Sequence, residues 1–316
     1  MKRTLITLVV VAVTAAVATT AAAMQFSAWA PAVSAETIPG TSASLNTPAL
    51  EGCAFIAQRD DVLYFASNRA GGLGGLDIWY SVRNEAGGWG DPVNLAAVNS
   101  PADDLCPTAH RNGKDLLFVS NRVGEVTCGG TDIYATRMHR KHGWSTPHNL
   151  GCGVNSSGDE AGPYLLEDDL YFSSTRAGGF APDPPGATTG DGDIYVSAFD
   201  DGSYGAPALV PGLNTAANDL RPNLRRDGRE IFFDSNRTGG QGMLDLWTST
   251  RTSKADPWST PANLGPNVNS SANDLRASLS WDAKTLYFGS TRPGGEGSQD
   301  IYVTTREKIG RSGEDD

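Results

Sequence analysis

Five acids recur along this chain of 316 residues: Glu51, Asp104, Glu160, Asp219 and Asp274. Each is followed by an arginine (Arg69, Arg122, Arg176, Arg237, Arg292) and then by a second acid (Asp77, Asp132, Asp193, Asp245, Asp300). Two carboxylates held about 5–10 Å apart can hydrolyse a glycosidic bond. A guanidinium beside a carboxylate keeps it ionised, which suits a nucleophile and not a proton donor. A catalytic group need occur once, and this constellation occurs five times. Its first meaning is therefore structural. Each arginine is expected to face the first acid across a hairpin, where opposite charges stabilise the pair, and to sit between its two carboxylates. Two acids and one arginine per unit leave one face acidic, able to attract a cation or a basic partner.

Units two and three carry the other groups capable of chemistry. The loop between arginine and second acid is longest in unit three, where Phe180 to Asp193 reads FAPDPPGATTGDGD. Asp183, Asp191 and Asp193 offer the oxygen ligands that calcium takes, although their spacing matches no established calcium loop. The plainer expectation is a solvated loop, stiffened by proline, that contacts a partner. Phe180, Asp183 and Asp191, with Glu125 from the enlarged loop of unit two, are the candidate binding residues. His139 and His142 flank Arg140 and Lys141 and read as a solvated basic turn, so no metal site is expected there. Trp79 and Trp247 stand where other units have tyrosine, and they fit core packing better than stacking on a sugar. Four cysteines allow three disulfide pairings. Cys53 and Cys106 hold equivalent positions on adjacent inner strands, and Cys128 lies near Cys152. The expected bonds are Cys53–Cys106 and Cys128–Cys152, with buried thiols as the alternative.

These residues need elements to position them. Each unit has an apolar-aromatic run, such as Leu63-Tyr64-Phe65 or Leu286-Tyr287-Phe288, then the arginine, a glycine-rich loop, and Asp-Ile/Leu-aromatic. Hairpin dipeptides such as Asn112-Gly113 and Asp227-Gly228 precede the run. An aromatic-x-x-Pro element follows the third strand: Trp89 to Pro92, Trp144 to Pro147, Tyr204 to Pro207 and Trp258 to Pro261. Proline suits an edge strand, where no ladder donor is lost. Four short strands per unit, repeated five times without helical periodicity, predict an all-β, five-bladed β-propeller of four-stranded blades. The repeats span about 51–99, 100–155, 156–214, 215–269 and 270–307. The fifth lacks its outer strand. Pro39 and Asn46 reproduce the spacing between proline and asparagine of the complete units, so residues 36–46 are expected to supply it. An N-terminal strand would thus join the last blade, closing the ring and removing an exposed edge.

The run Leu-Tyr-Phe-x-Ser-Thr-Arg-Pro-Gly-Gly at 286–295, closing on Asp300-Ile301-Tyr302, resembles the WD40-like (TolB-type) β-propeller repeat of exported bacterial proteins. The resemblance covers about residues 51–307. It implies a propeller scaffold with many uses and carries no catalytic residues. The chain departs from TolB itself in having five units rather than six and no separate N-terminal α/β domain.

Met1-Lys2-Arg3 followed by the apolar stretch from Leu5 to Ala23 has the layout of a secretory signal. Val33-Ser34-Ala35 fits a cleavage site, giving a signal at 1–35. A cut after Ala23 is the second option. Residues 308–316 read as a disordered polar tail. The formal net charge is −11, and loss of the signal removes Lys2 and Arg3 but no acid. That balance argues against nucleic acid, whose phosphates call for basic residues. No later segment is apolar enough to span a membrane. The expected location is periplasmic or secreted. No Ser-His-Asp arrangement, phosphate loop or metal-ligand cluster appears. The reading is an exported, non-catalytic scaffold that binds an envelope or extracellular protein or a glycan, without a cofactor unless calcium. The alternatives are a glycoside hydrolase-like propeller or a lectin-like module.

Overall fold

The computed structural model describes residues 25–57, 59–181 and 189–309. The chain forms a five-bladed β-propeller of antiparallel four-stranded blades, with the short strand Gly143–Trp144 added to the sheet of blade two. Blade one is Glu51–Ile56, Val62–Ser67, Asp77–Val82 and Val93–Asn94. Blade two is Asp104–Ala109, Asp115–Ser120, Asp132–His139 and His148–Asn149. Blade three is Glu160–Leu166, Asp169–Arg176, Thr189–Ser197 and Ala208–Leu209. Blade four is Asp219–Leu224, Glu230–Ser235, Asp245–Thr250 and Ala262–Asn263. Blade five is Asp274–Leu279, Thr285–Ser290 and Asp300–Thr305, completed by Val33–Ser34 from the N-terminal end.

The closing strand pairs Val33 with Val303 and Ser34 with Tyr302. It lies just upstream of the expected 36–46 segment. The repeat explains why. Trp29 precedes Val33 as Trp89 precedes Val93, Trp144 precedes His148, Tyr204 precedes Ala208 and Trp258 precedes Ala262. Residues 36–46 are instead the linker into blade one. Its Asn46 accepts the Ile301 amide at 2.8 Å, the bond that Asn99, Asn155, Asn214 and Asn269 make in the other blades. A cut after Ala35 would remove both Trp29 and the closing strand. Gln25–Phe26 pairs with Lys308–Ile309, so the beginning of the expected tail is a strand, and residues 310–316 lie outside the described residues.

Apolar side chains fill the wedges between blades. Ile56, Phe65 and Trp89 meet Tyr287, Ile301 and Val303 between blades one and five. Phe233 and Trp247 meet Tyr171 and Ile194 between blades four and three. The glycine-rich loops let each blade touch the next linker. A Cβ on Gly74 would stand 2.1 Å from the Ala102 carbonyl oxygen. Among the described residues no helix is long and apolar enough to cross a membrane.

Each inner strand carries a bulge against its neighbour, at the same place in every blade. The bulged residues Cys53, Cys106, Gly162, Arg221 and Arg276 have φ of 51°, 51°, 56°, 51° and 63°. A left-handed residue in a bulge turns its side chain out of the sheet alternation, here towards the ring axis.

Candidate ligand-binding site

The repeated charges lie at the beginning of the inner strands. Glu51, Asp104, Glu160, Asp219 and Asp274 are wholly buried. Arg69 meets Glu51 at 3.0 Å, Arg176 meets Glu160 at 3.2 Å and Arg292 meets Asp274 at 2.6 Å, with Arg122–Asp104 and Arg237–Asp219 as the equivalent contacts. The cross-strand partner of each acid is not the arginine but the serine two residues before it, as in Glu51 opposite Ser67. The arginine reaches back from beyond that serine. It donates to the serine hydroxyl and to a carbonyl of the preceding linker, for example Leu45 O at 2.7 Å and Val154 O at 2.7 Å. Its guanidinium covers the blade's own rings, 5.0 Å from the Phe65 centroid in blade one.

The second acids do not complete a carboxylate sandwich around the arginine. Asp132 accepts the Cys128 and Gly129 amides at 2.8 and 3.2 Å and the Asn149 side chain at 2.8 Å. Asp77, Asp245 and Asp300 bind loop amides in the same way. These acids satisfy amides that the tight loop would otherwise leave unpaired. The ten carboxylates therefore hold linkers and loops.

The expected loop residues are not gathered into one pocket. Phe180 is exposed, and its amide donates to Asp193 at 2.7 Å. Glu125 is exposed and Asp191 half-buried. Asp183 lies outside the described residues. Of the three oxygen donors considered for calcium, Asp193 is thus engaged by its own loop. Among the described residues no three of His, Cys, Asp and Glu are grouped to hold a metal ion. The cysteines are joined as Cys53–Cys106 and Cys128–Cys152. Trp79 and Trp247 are buried in the wedges.

The spacious cavities are at the other end of the ring, around the turn from His110 to Asp115. A groove of about 600 Å³ runs between blades two and three. A second, of about 520 Å³, runs between blades one and two, lined by Tyr64, Trp144, Arg111 and Arg140. Their position follows from one repeat site. Six residues after each second acid stand Arg83, Met138, Phe199, Arg251 and Arg306. Arg83 lies 4.3 Å from the Trp89 ring and Arg251 lies 4.1 Å from the Trp258 ring, each clamping its blade's outer aromatic. Blades two and three have Met138 and Phe199 instead. Without the guanidinium lid, the edges of Trp144 and Tyr204 line open grooves.

The larger groove combines an apolar wall with a polar one. Phe199, 43% exposed, meets Tyr204 edge to face with centroids 5.1 Å apart. Opposite, Asp115 is held by Arg137 at 2.7 Å and by the Asn112 side chain at 2.6 Å. The Arg137 hydrogen bond keeps the Asp115 carboxyl below its ordinary value, with Asn112 adding to the effect. His110 contacts the Glu167 carbonyl oxygen at 3.2 Å, and His148 and Asp168 complete the rim. Burial pushes the Tyr204 hydroxyl up to about 12, with the nearby aspartates adding to it, so it stays a neutral hydrogen-bonding group. Sequence reasoning gave Asn112 and Tyr204 structural roles only, in a hairpin turn and an outer strand, and passed over Phe199. The signal lay in Met138 and Phe199 replacing arginine.

No family model and no curated protein matches this chain. Among solved structures, the alpha-L-arabinofuranosidase from Lactobacillus brevis matches with a TM-score of 0.53 at 13% identity, over 86% of this chain and 96% of that one. A GH43_12 retrieved from a capybara gut metagenome matches at 0.52 and 14%, over 91% of this chain and 62% of that one. TolB from Acinetobacter baumannii matches at 0.46 and 14%, over 84% of this chain and 55% of that one. The chain thus spans between half and two thirds of the last two. At these identities the likeness is one of fold.

Proposed function

We propose that the protein is an exported, non-catalytic binding propeller, that its ligand is a glycan, and that the groove between blades two and three holds it. The supporting observation is the groove's pairing of walls. An exposed aromatic edge at Phe199 and Tyr204 faces fixed hydrogen-bonding groups at Asn112, Asp115 and Arg137. A sugar ring has the matching character, an apolar face and a rim of hydroxyls. Such a pocket takes affinity from the apolar wall and orientation from a few placed polar groups. Two disulfides accord with an oxidising compartment.

The hydrolase reading has raised carboxyls in its favour, with Glu36, Asp60 and Asp300 among them. Burial pushes the carboxyls of Glu160 and Asp234 above their ordinary values, as a general acid requires. Both carboxylates are engaged, however. Glu160 accepts from Ser174 at 2.7 Å and meets Arg176, and Asp234 is held bidentately by Arg221. Neither is poised to give a proton to a leaving group.

Calorimetric titration against neutral pentose and hexose oligosaccharides tests the reading, alongside a reducing-sugar assay on the same panel. Binding is expected with no sugar released, and Phe199→Ala and Asn112→Ala should each weaken it about tenfold or more. Release of reducing sugar would overturn the non-catalytic reading. Absence of binding across the panel, or unchanged affinity in both variants, would overturn the groove as its site.

A further inference from the structure

The five bulged residues meet at the neck of the channel, where Cys53, Cys106, Gly162, Arg221 and Arg276 line one cavity of about 30 Å³. Blades one and two contribute an uncharged disulfide, and blade three a glycine. Blades four and five contribute two guanidiniums.

The charges there do not balance. Asp234 is fully buried, and Arg221 occupies it with both arms, Nε at 3.0 Å from Oδ1 and Nη2 on Oδ2. Asp234 also accepts the backbone amide of Arg276 at 3.1 Å. The guanidinium of Arg276 is left with a poor set of partners. Its Nη1 faces Cys53 Sγ at 2.6 Å, a weak acceptor. Its Nε is shielded from solvent and makes no hydrogen bond. The acids that begin the five inner strands cannot compensate, because each is engaged by its own arginine. Burial, reinforced by the charge of Arg221, pushes Arg276 down to about 9. Two guanidiniums against one carboxylate leave a single positive charge in the neck. Arg276 as a whole is half-buried, but its shielded Nε side has no acceptor. A charge drawn away from water without a partner is costly, and a counter-ion reduces that cost.

We propose that the neck of the channel binds one small monovalent anion, held by Arg276 with Arg221 beside it. The size of the cavity sets the class. About 30 Å³ in an open neck accommodates one or two water-sized atoms, which matches a halide or the end of a carboxylate better than the larger, divalent sulfate. The single excess charge sets the valence. This site is separate from the groove between blades two and three and does not depend on what that groove binds.

Two measurements with bromide as the probe test it together. In the first, thermal unfolding of the oxidised protein is followed as sodium bromide replaces sodium gluconate at constant ionic strength, with formate and sulfate as further arms. The melting temperature should rise and saturate with bromide and with formate, and should not respond to sulfate. Arg276→Gln should weaken the bromide dependence at least tenfold. In the second, crystals in bromide should show one anomalous peak within contact distance of the Arg276 guanidinium. The same bromide dependence in Arg276→Gln as in the parent, or a neck without anomalous density, would overturn the proposal. Should Arg276→Gln fail to fold, the parent protein decides: saturable bromide dependence with a peak in the neck supports the site, and the lack of either overturns it.

Discussion

Trp29 lies under the guanidinium of Arg306, 4.4 Å from the ring centroid, as Trp89 lies under Arg83 and Trp258 under Arg251. Trp29 also packs edge-on against Phe232 at 6.0 Å, in the wedge between blades four and five. Arg306 is itself buried and paired bidentately with Glu230, both contacts at 2.7 Å. The segment ahead of the closing strand is thus built into the fold.

On the proposed export, a cleaved chain is therefore expected to keep Trp29 and the closing strand, with cleavage at or near Ala23 and not after Ala35. N-terminal sequencing and intact mass of the exported protein check this. Trp29→Ala should destabilise by about 3–5 kcal/mol, the range for deleting a buried tryptophan, read by urea unfolding. A protein beginning at Glu36 should fare worse, because it also lacks the outer strand of blade five.

A second expectation concerns the repeated ion pairs. Arg237→Ala leaves Asp219 buried without its cation and frees the Leu213 carbonyl oxygen, which Arg237 holds at 2.5 Å. Removing one member of a buried pair costs about 3–5 kcal/mol. Asp219→Asn added to Arg237→Ala should recover part of that loss, and a double-mutant cycle by chemical unfolding measures the coupling. Binding in the groove between blades two and three should be unchanged in any variant that folds.

The repeat made the blades legible because each blade buries the same positions against its neighbours. The runs at Leu63 and Leu286, the acids and the linker asparagines, Asn46 included, all declare themselves by spacing. Three features did not. The bulges at Cys53 and Arg221 leave no trace in apolar alternation, since the residues there are cysteine, glycine and arginine. Trp29 was hidden because Pro31 follows it by two residues rather than three, and because Val33-Ser34-Ala35 has the small residues of a cleavage site. The roles of the second acids required the loop's backbone. Asp132 and Arg122 are close enough in sequence to suggest a pair, but the unpaired amides of Cys128 and Gly129 compete for the carboxylate and win. The grooves could have been found by asking which blades lack the clamping arginine.

The disulfide between Cys128 and Cys152 ties the loop after Arg122 to the linker after blade two's outer strand, across a sequence separation of 24. In the chain-entropy account a loop of that size is worth about 3.5 kcal/mol. Replacing both cysteines by serine should lower stability by about that amount under oxidising conditions and leave no difference from the reduced parent at this bond. Cys53–Cys106 closes a separation of 53, for which the same account gives about 4 kcal/mol. Urea unfolding of the two double-serine variants should rank them in that order.

The last expectation is a pH dependence at the groove. Arg137 holds the Asp115 carboxyl below its ordinary value of 3.8. A carboxyl lowered in the folded state releases its proton more readily there than in the unfolded chain. Its contribution to stability is therefore present above 3.8 and disappears as pH falls through the lowered folded value. Arg137 is 58% exposed, so solvent screening keeps the contribution below about 1 kcal/mol. Asp115→Asn should accordingly be slightly less stable than the parent at pH 6, and the difference should vanish once the pH is below the folded value. Ligand binding should follow the same course, because protonated Asp115 no longer fixes Arg137 and Asn112 on the polar wall. Parallel urea melts and titrations across the acid range check both. A stability difference that stays constant on acidification would mean that Asp115 acts through packing rather than charge, and would remove the electrostatic account of the groove's polar wall.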